Sequence, residues 1–291
     1  SMIVQAVALA LAAAGLHAMW NVRLKSAGDP LKATGRAMAA SALWISPAGA
    51  LVWLAAGRPS FPPEALLLVA LSALGEFAYF NFLSAAYRRG DLSLVYPLAR
   101  GTAPLLAIVA GLLLGERLSP AGYLGIALVL AGIWAVRRPS GAGAATGFAL
   151  LTGAAIASYS AVNSVGTRLI SPWQYGWAVW TVSATLLVLW VRFDPRRDTA
   201  PLSLDIRARV DGADRSSRLQ DFTLGMMMAV PYFLVLTALS IAPLLVVAPV
   251  RESAIVLVTL WSVLRLGERE GAGLRVGGAF ALLGGIVCLV V

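Results

Sequence analysis

The sequence predicts an all-α integral membrane protein in which ten transmembrane helices form two five-helix repeats of inverted topology. Two observations carry this prediction. Hydrophobic residues make up 59% of the 291 residues and charged residues 13%, which leaves too little polar surface to cover a soluble globule of this size. In addition, the stretch from Leu92 to Trp134 returns about 152 residues later, from Pro243 to the C-terminus.

Ten apolar runs have about the 18 to 24 residues that a helix needs to cross about 30 Å of hydrocarbon. They lack the alternation of barrel strands, so we expect helices. No basic segment precedes the first run, which is typical of a spanning helix and not of a signal peptide. The predicted helices, in chain order, are Met2–Trp20, Thr34–Leu54, Pro63–Tyr87, Leu92–Leu114, Pro120–Val136, Ala145–Arg168, Trp173–Val191, Phe222–Ile241, Pro243–Leu264 and Gly271–Val291.

The connections between these runs alternate in charge. Eighteen of the 23 Lys and Arg residues lie in the loops after the odd-numbered helices, and three lie in the loops after the even-numbered ones. The positive-inside rule therefore places the odd loops in the cytoplasm and both termini outside. The net charge of +9 indicates membrane orientation and not a nucleic-acid partner. The longest polar segment, residues 191–221, is predicted to be a cytoplasmic linker between helices 7 and 8.

The internal repeat fixes the relative orientation of the two halves. Pro97 recurs as Pro249, and the Gly-Glu-Arg triplet at 115–117 recurs at 267–269. Each unit has five helices, so the second copy must enter the membrane with the opposite orientation, as in transporters that expose one central site to either side in turn. The repeats are predicted over residues 2–139 and 140–291.

Helices 5 and 10 are predicted to form a fixed pair. They carry small residues four positions apart, Ala121 and Gly125 in helix 5 and Gly273 and Gly277 in helix 10, and the pattern continues with Gly132 and with Gly284 and Gly285. Small residues at this spacing let two helix backbones approach closely. The middles of both helices lack charge, so we assign them a scaffold role within a monomer or at the contact of a homodimer.

Four charged residues fall inside the predicted membrane spans. Glu76 lies near the middle of helix 3, Arg100 lies in helix 4, and Arg251 and Glu252 lie near the middle of helix 9. A charge at the bilayer centre costs at least about 2.5 kcal/mol, so each one needs a partner or a function. Because helices 4 and 9 are repeat partners, we expect their charges to meet at a central cavity.

Two interpretations of these charges stay open at this point. In the first, Arg100 and Arg251 bind the acidic group of a substrate, while Glu76 binds a cation or carries a proton. In the second, Glu76 pairs with one of the arginines and only fixes the packing. Helical spacing places Tyr79 or Phe80 on the same face as Glu76, where an aromatic ring can contact a bound group.

Further residues are predicted to bend the helices or to line the same cavity. Proline removes a helical hydrogen bond, and the freed carbonyl is tolerated at membrane depth only against protein or water. We therefore interpret Pro97, Pro104 and Pro249 as hinges. Additional cavity candidates, chosen as polar or aromatic residues inside or at the ends of helices, are Trp44, Tyr159, Asn163, Tyr232, His17 and Trp20.

The order of these motifs resembles a known family. Two five-helix units that each close with proline, Gly-Glu and a glycine-rich helix, together with the opening His17-Ala18-Met19-Trp20-Asn21, are similar to the EamA-type branch of the drug/metabolite transporter superfamily. The resemblance implies a ten-helix secondary transporter in the bacterial cytoplasmic membrane, often an exporter of amino acids or other small metabolites, that works without ATP. It also implies a structural role for Gly115-Glu116 and Gly267-Glu268.

Several functions compete on these grounds. The first is alternating-access export of a small zwitterionic or anionic metabolite such as an amino acid, with protons as a possible coupling ion. The second is proton-coupled efflux of hydrophobic cations at Glu76. The third is an intramembrane enzyme acting on lipid-linked substrates, although motifs of metalloproteases, serine hydrolases and P-loop enzymes are absent from the sequence. A purely structural protein is the fourth. No cofactor, metal or nucleic-acid partner is expected.

Overall fold

The computed structural model of the chain describes residues 1–25, 27–90, 92–136, 143–193, 212–253 and 272–290. These described ranges contain ten α-helices and no strand. In chain order the helices are α1 (Met2–Lys25), α2 (Pro30–Ala55), α3 (Pro63–Arg89), α4 (Leu92–Leu113), α5 (Pro120–Val136), α6 (Ala144–Leu169), α7 (Pro172–Phe193), α8 (Gly212–Ile241), α9 (Leu244–Glu252) and α10 (Ala272–Val290).

The hydropathy of these helices confirms an all-helical membrane fold. Six described segments are long and apolar enough to cross a bilayer, and they lie in α1, α2, α3, α6, α7 and α8. Shorter apolar segments lie in α4, α5 and α10, at Leu98–Leu113, Pro120–Ala135 and Val276–Leu289. The second half of the predicted ninth helix, and the triplet at 267–269, lie outside the described residues.

The predicted linker over residues 191–221 is wrong at both ends. Helix α7 continues to Phe193, and α8 begins at Gly212, ten residues before the predicted start at Phe222. Residues 212–221 are mostly polar, so hydropathy cannot distinguish a helix that extends beyond the bilayer from a loop. Arg36 near the start of α2 forms an ion pair at 3.3 Å with Asp221, which joins two helices at this membrane face.

The main helix pairs follow a pattern that is symmetric between the first five helices and the last five. Helix α1 packs on α8 and α6 packs on α3, while α2 packs on α7, α4 on α9 and α5 on α10. Exchanging every helix with the one five places away leaves this set of pairs unchanged. The α4–α9 pair is antiparallel, because Arg100 contacts Glu252 and Gly111 lies against Leu245.

Helices α5 and α10 approach each other through glycines. A Cβ atom on Gly125 would lie 2.8 Å from the carbonyl oxygen of Gly285, and one on Gly132 would lie 2.5 Å from that of Gly278. The two helices therefore run antiparallel with their backbones in contact, as expected for a scaffold pair. Of the small residues predicted for this contact, Gly125, Gly132 and Gly285 lie at it, whereas Gly273 and Gly277 have open space beside them. The contacting glycines are seven positions apart, two helical turns.

Glu116 joins three helices at the membrane face that carries the loops after α4, α6 and α8. Its carboxylate accepts hydrogen bonds from the backbone N–H groups of Leu244 and Leu245, at 2.9 and 3.0 Å, at the start of α9. It also forms a salt bridge at 2.7 Å with Arg168 near the end of α6. A carboxylate at a helix N-terminus satisfies unpaired N–H groups and complements the helix dipole. Gly115, with φ of +83°, makes the turn that places it there.

Candidate functional site

A small, mainly aromatic cavity lies at the centre of the bundle, between α1, α3, α6, α7 and α8. Its volume is about 30 Å³, far below the range of about 300–1,000 Å³ typical of ligand sites. A metabolite does not fit this space, so binding one requires the helices to move apart. The residues that line the cavity are His17, Trp20, Glu76, Tyr79, Phe80, Tyr159, Trp180, Met228 and Tyr232.

Three oxygen atoms around Glu76 are buried without a hydrogen-bond partner. They are Oε1 of Glu76, the hydroxyl of Ser183 on α7 and the hydroxyl of Tyr232 on α8. Both hydroxyls interact with the Glu76 carboxylate, but neither contact has the distance and angle of a full hydrogen bond. Buried polar atoms in native proteins are nearly always paired, and exceptions concentrate at functional sites. This set of three oxygens is therefore the part of the cavity best suited to receive a donor from a ligand.

A cluster of charged side chains lies where α4 meets α9. Arg100 donates from Nη1 to both carboxylate oxygens of Glu252, at 3.1 and 3.0 Å. Arg251 donates from Nε to Oε1 of the same carboxylate at 2.7 Å and from Nη1 to the Ser160 hydroxyl at 3.2 Å. All three charged residues are buried. In the described contacts, two guanidinium groups thus share one carboxylate.

Two tyrosines connect this Arg–Glu–Arg cluster to the cavity. Arg100 donates from Nη2 to the hydroxyl of Tyr79 at 3.3 Å, and the guanidinium of Arg251 lies 6.0 Å from the ring centroid of Tyr159. The two rings contact each other edge-on, with centroids 5.8 Å apart. Because both tyrosines line the cavity, the positive cluster lies directly behind one wall and the Glu76 carboxylate lies within the space.

His17 of α1 accepts a hydrogen bond from Trp20, about one turn further along the same helix. The indole N–H of Trp20 donates to Nδ1 of His17 at 2.9 Å. A ring nitrogen that accepts a hydrogen bond carries no proton, so this contact selects the neutral imidazole with its proton on Nε2. Trp20 also packs on Phe80, with ring centroids 6.4 Å apart. The predicted pair therefore forms a rigid aromatic side of the cavity.

Most of the predicted site residues come together in the structure. Glu76, His17 and the predicted aromatic residues other than Trp44 line the cavity, and the charged residues of α4 and α9 form the cluster behind it. Glu76 makes no described ion pair with either arginine, whose described carboxylate partner is Glu252. Both arginines thus pair with Glu252, a carboxylate of their own cluster. The ion pair with Glu76, which the second interpretation expected, is not among the described contacts.

Asn163 lies beside the cavity but does not line it. Its Oδ1 accepts hydrogen bonds from the hydroxyls of Ser72 at 2.5 Å and Tyr175 at 3.1 Å. These bonds tie α6 to α3 and α7 and occupy the side-chain oxygen. Asn163 thus fixes helix packing in this structure, and Tyr159 is the residue of α6 that lines the cavity.

Trp44 is placed away from the cavity, contrary to the sequence-based prediction. Its side chain is 68% exposed on the outer face of α2, and its ring contacts Phe222 edge-on at 6.2 Å. A tryptophan in the middle of an apolar helix satisfies the same sequence pattern whether it faces protein or lipid. The helix has no charged neighbour at that position to mark which face is buried. The tryptophans that line the cavity are Trp20 of α1 and Trp180 of α7.

The three predicted hinge prolines all lie inside helices near the charged cluster. Pro97 and Pro104 belong to α4, and Pro249 lies two residues before Arg251 in α9. Pro104 and Pro249 are buried in the bundle. Their role as hinges stays a prediction.

Ser183, Trp180 and Met228 are the site residues that the sequence did not predict. Ser183 is one hydroxyl in an apolar helix, and serine often bonds back to its own helix, as the Ser160 hydroxyl does by donating to the carbonyl of Ile156 at 2.6 Å. Such a residue gives little signal in sequence. Across the described ranges, no three His, Cys, Asp or Glu side chains are grouped as a metal site.

Comparisons with known proteins agree with this architecture. Residues 2–138 match the model of the EamA-like transporter family. A solved structure described only as "Crystal structure of protein" is similar at a TM-score of 0.71, with 18% sequence identity and coverage of 98% of each chain. At that identity the likeness shows the fold alone. No curated protein matches the chain. The match over residues 2–138 supports an EamA-type transporter of the drug/metabolite transporter superfamily, and the spanning helices make the chain a multi-pass membrane protein.

Proposed function

We propose that this protein is a secondary transporter of the bacterial cytoplasmic membrane that exports a small zwitterionic metabolite, such as an amino acid, by alternating access. One observation carries the proposal: groups of opposite charge are buried on two sides of one cavity. Two guanidinium groups lie behind one wall in the described Arg–Glu–Arg cluster, and the Glu76 carboxylate lines the cavity without a described ion-pair partner. A zwitterion is the ligand class that can contact both.

The energetics favour a ligand that carries both charges. An unpaired charge in the bilayer interior costs at least about 2.5 kcal/mol, and breaking a buried pair costs about 3–5 kcal/mol. A substrate carboxylate near Arg100 and Arg251 complements their guanidinium groups, and its ammonium group beside Glu76 complements the carboxylate. In this proposal Ser183 and Tyr232 accept the remaining ammonium protons, because three N–H donors match the three unpartnered oxygens.

The packing of the helices supports an inverted repeat over residues 2–139 and 140–291. The helix pairs are unchanged when each helix is exchanged with the one five places away, and the described contacts show α4–α9 and α5–α10 to be antiparallel. Two equivalent halves of opposite orientation can exchange conformations, which opens one central site to each side in turn. The cavity of about 30 Å³ then corresponds to a closed conformation, with Pro97, Pro104 and Pro249 as bending points.

Efflux of hydrophobic cations is a second candidate function, supported by the aromatic surroundings of Glu76. Trp20, Tyr79, Phe80 and Trp180 line the cavity beside the carboxylate. Aromatic faces attract cations by about 0.5–2 kcal/mol. The positive cluster behind Tyr79 and Tyr159 opposes a ligand that carries only positive charge, so we rank this function below zwitterion export.

Transport assays on the purified protein in liposomes test these assignments. A panel of radiolabelled amino acids is measured with and without a pH gradient, beside a hydrophobic quaternary cation. We expect saturable transport of at least one amino acid, loss of more than 90% of it in Arg100→Ala, and normal transport in Arg36→Ala, which removes an exposed arginine at a membrane face. Full transport by Arg100→Ala, with the variant folded, contradicts the assignment of the cluster. Transport of the quaternary cation alone favours the second function.

A further inference from the structure

His17 is the single histidine of the sequence, and it lines the central cavity. Its Nδ1 atom accepts the hydrogen bond from the indole of Trp20 at 2.9 Å. A neutral imidazole has a proton on one ring nitrogen only, so the proton of His17 is on Nε2. Within the described residues, no group is hydrogen-bonded to Nε2. The cavity wall therefore contains a ring N–H that can only donate and that is available to a ligand.

Hydrogen bonds on both sides of this ring hold it in place. The side-chain amide of Asn21 donates to the backbone carbonyl of His17 at 2.8 Å, and its oxygen accepts from the hydroxyl of Tyr87 on α3 at 2.9 Å. The Trp20 indole that fixes Nδ1 packs in turn on Phe80. A donor that is already ordered loses little further conformational entropy when a ligand binds to it.

The surroundings of His17 favour an acidic group at this donor. The guanidinium groups of Arg100 and Arg251 both act electrostatically on the imidazole. Neither arginine is among the residues that line the cavity, because Tyr79 and Tyr159 form the wall in front of them. In this closed conformation, a carboxylate in the cavity interacts with the guanidinium charges at a distance, and its direct hydrogen bonds must come from the wall.

We propose that the Nε2–H group of His17 donates a hydrogen bond to the carboxylate of the transported zwitterion and thereby sets its orientation in the cavity. The inference rests on the proposed function. Tyrosine hydroxyls in the wall can donate or accept, whereas this N–H only donates, so it pairs with a carboxylate and not with an ammonium group. Glu76 has the opposite preference, since an ionised carboxylate only accepts. The two residues together orient the ligand, with its carboxylate at His17 and its ammonium group at Glu76.

Paired ligands that differ only in the carboxylate test this role. Each amino acid of the liposome panel is matched with its decarboxylated amine, such as leucine with isoamylamine and phenylalanine with phenethylamine, and binding is measured by titration calorimetry. His17→Leu removes the donor and His17→Gln retains an N–H donor. We expect His17→Leu to bind the amino acid about tenfold more weakly or worse, and the amine within about twofold of the wild type. His17→Gln is expected to recover part of the loss.

The single histidine also permits a direct spectroscopic test. Protein that carries isotope-labelled histidine and no histidine tag gives the NMR signals of one imidazole. We expect the wild type to show the tautomer with the proton on Nε2, and Trp20→Phe to show a mixture of tautomers. Addition of the amino acid is expected to shift the Nε2–H signal, whereas the amine leaves it in place. Met19→Leu, on the exposed face of the same helix, is the control and is expected to match the wild type.

Two results overturn the inference while the proposed function stands. One is an equal loss of affinity for the amino acid and for its amine in His17→Leu, and the other is an Nε2–H signal that a bound amino acid does not move. If His17→Leu does not fold, the NMR titration of the wild type still decides. A wild-type protein that neither binds nor transports any amino acid overturns the proposed function and this inference with it, so the two failures are distinguishable.

Discussion

Arg100 and Glu252 form a buried salt bridge between residues that are 152 positions apart, the offset of the internal repeat. The two residues are therefore equivalent positions of the two proposed halves, and they meet where α4 crosses α9. A residue contacts its own repeat equivalent only near the axis that relates the halves. The salt bridge and the helix crossing therefore both lie near the centre of the molecule. At this one pair of equivalent positions, the two halves carry opposite charges.

Charge exchange at this pair tests the arrangement. Arg100→Glu alone places two carboxylates together, and Glu252→Arg alone leaves three arginines in a buried cluster. We expect each single variant to lose about 3–5 kcal/mol of stability, because it removes one partner of a buried pair. The double variant restores opposite charges and is expected to recover most of the loss. Thermal unfolding of the detergent-solubilised proteins measures this, and a double variant no more stable than the singles contradicts the direct pairing.

Removal of the charge on Glu76 is expected to impair transport more than stability. Glu76→Gln keeps the shape of the side chain and removes the carboxylate that faces Ser183 and Tyr232. A hydrogen bond to a charged group contributes about 1.5–3 kcal/mol, which corresponds to about a 10- to 150-fold loss of substrate affinity. We also expect the response of transport to a pH gradient to disappear. Competition binding and liposome flux measure both effects.

The matched control for this experiment lies on the same helix. Glu64 is an exposed carboxylate in the first turn of α3, so Glu64→Gln makes the same chemical change outside the cavity. We expect transport by this variant to equal that of the wild type. Wild-type affinity and an unchanged pH response in Glu76→Gln are the results that remove Glu76 from the site.

The sequence was sufficient to place helices and buried charges, because both depend on composition. Long apolar runs must cross the membrane as helices, and Glu76, Arg100, Arg251 and Glu252 are conspicuous within them. All four are buried, as expected for charges at that depth. Their pairing was less predictable, since Glu252 could be identified as the shared carboxylate only once the crossing of α4 and α9 was known.

The sequence could not predict which side of each helix faces the interior of the bundle and which side faces outward. Trp44 and Trp180 both lie in apolar helices, yet Trp44 faces outward and Trp180 lines the cavity. An almost uniformly apolar helix carries little periodic signal, because lipid and protein interior accept the same residues. The glycines of α10 show the same ambiguity: the sequence offers several spacings, and only packing against α5 selects Gly278 and Gly285.

Glu116 is expected to stabilise the start of α9 through its charge. Glu116→Gln keeps an oxygen that can accept one hydrogen bond, but it loses the second acceptor for Leu244 and Leu245 and the salt bridge to Arg168. Loss of a helix cap costs about 0.5–2 kcal/mol. Arg168→Ala is expected to cost less, because its side chain is 48% exposed and the pair is screened by water. Thermal unfolding of both variants measures which of them loses more stability. A loss in Arg168→Ala that equals or exceeds the loss in Glu116→Gln contradicts the capping role.

The contact between α5 and α10 leads to a test with two glycine-to-alanine changes. A Cβ atom on Gly132 would lie 2.5 Å from the backbone oxygen of Gly278, whereas one on Gly277 would meet open space. Gly132→Ala must therefore push the helices apart, and overpacking of this kind costs about 1–3 kcal/mol. Gly277→Ala avoids the clash and removes a flexible residue from a helix, so we expect it to be neutral or stabilising by up to about 1 kcal/mol. Thermal unfolding in the same detergent compares the stability of the two variants. Equal stability would show that α5 and α10 do not pack as described.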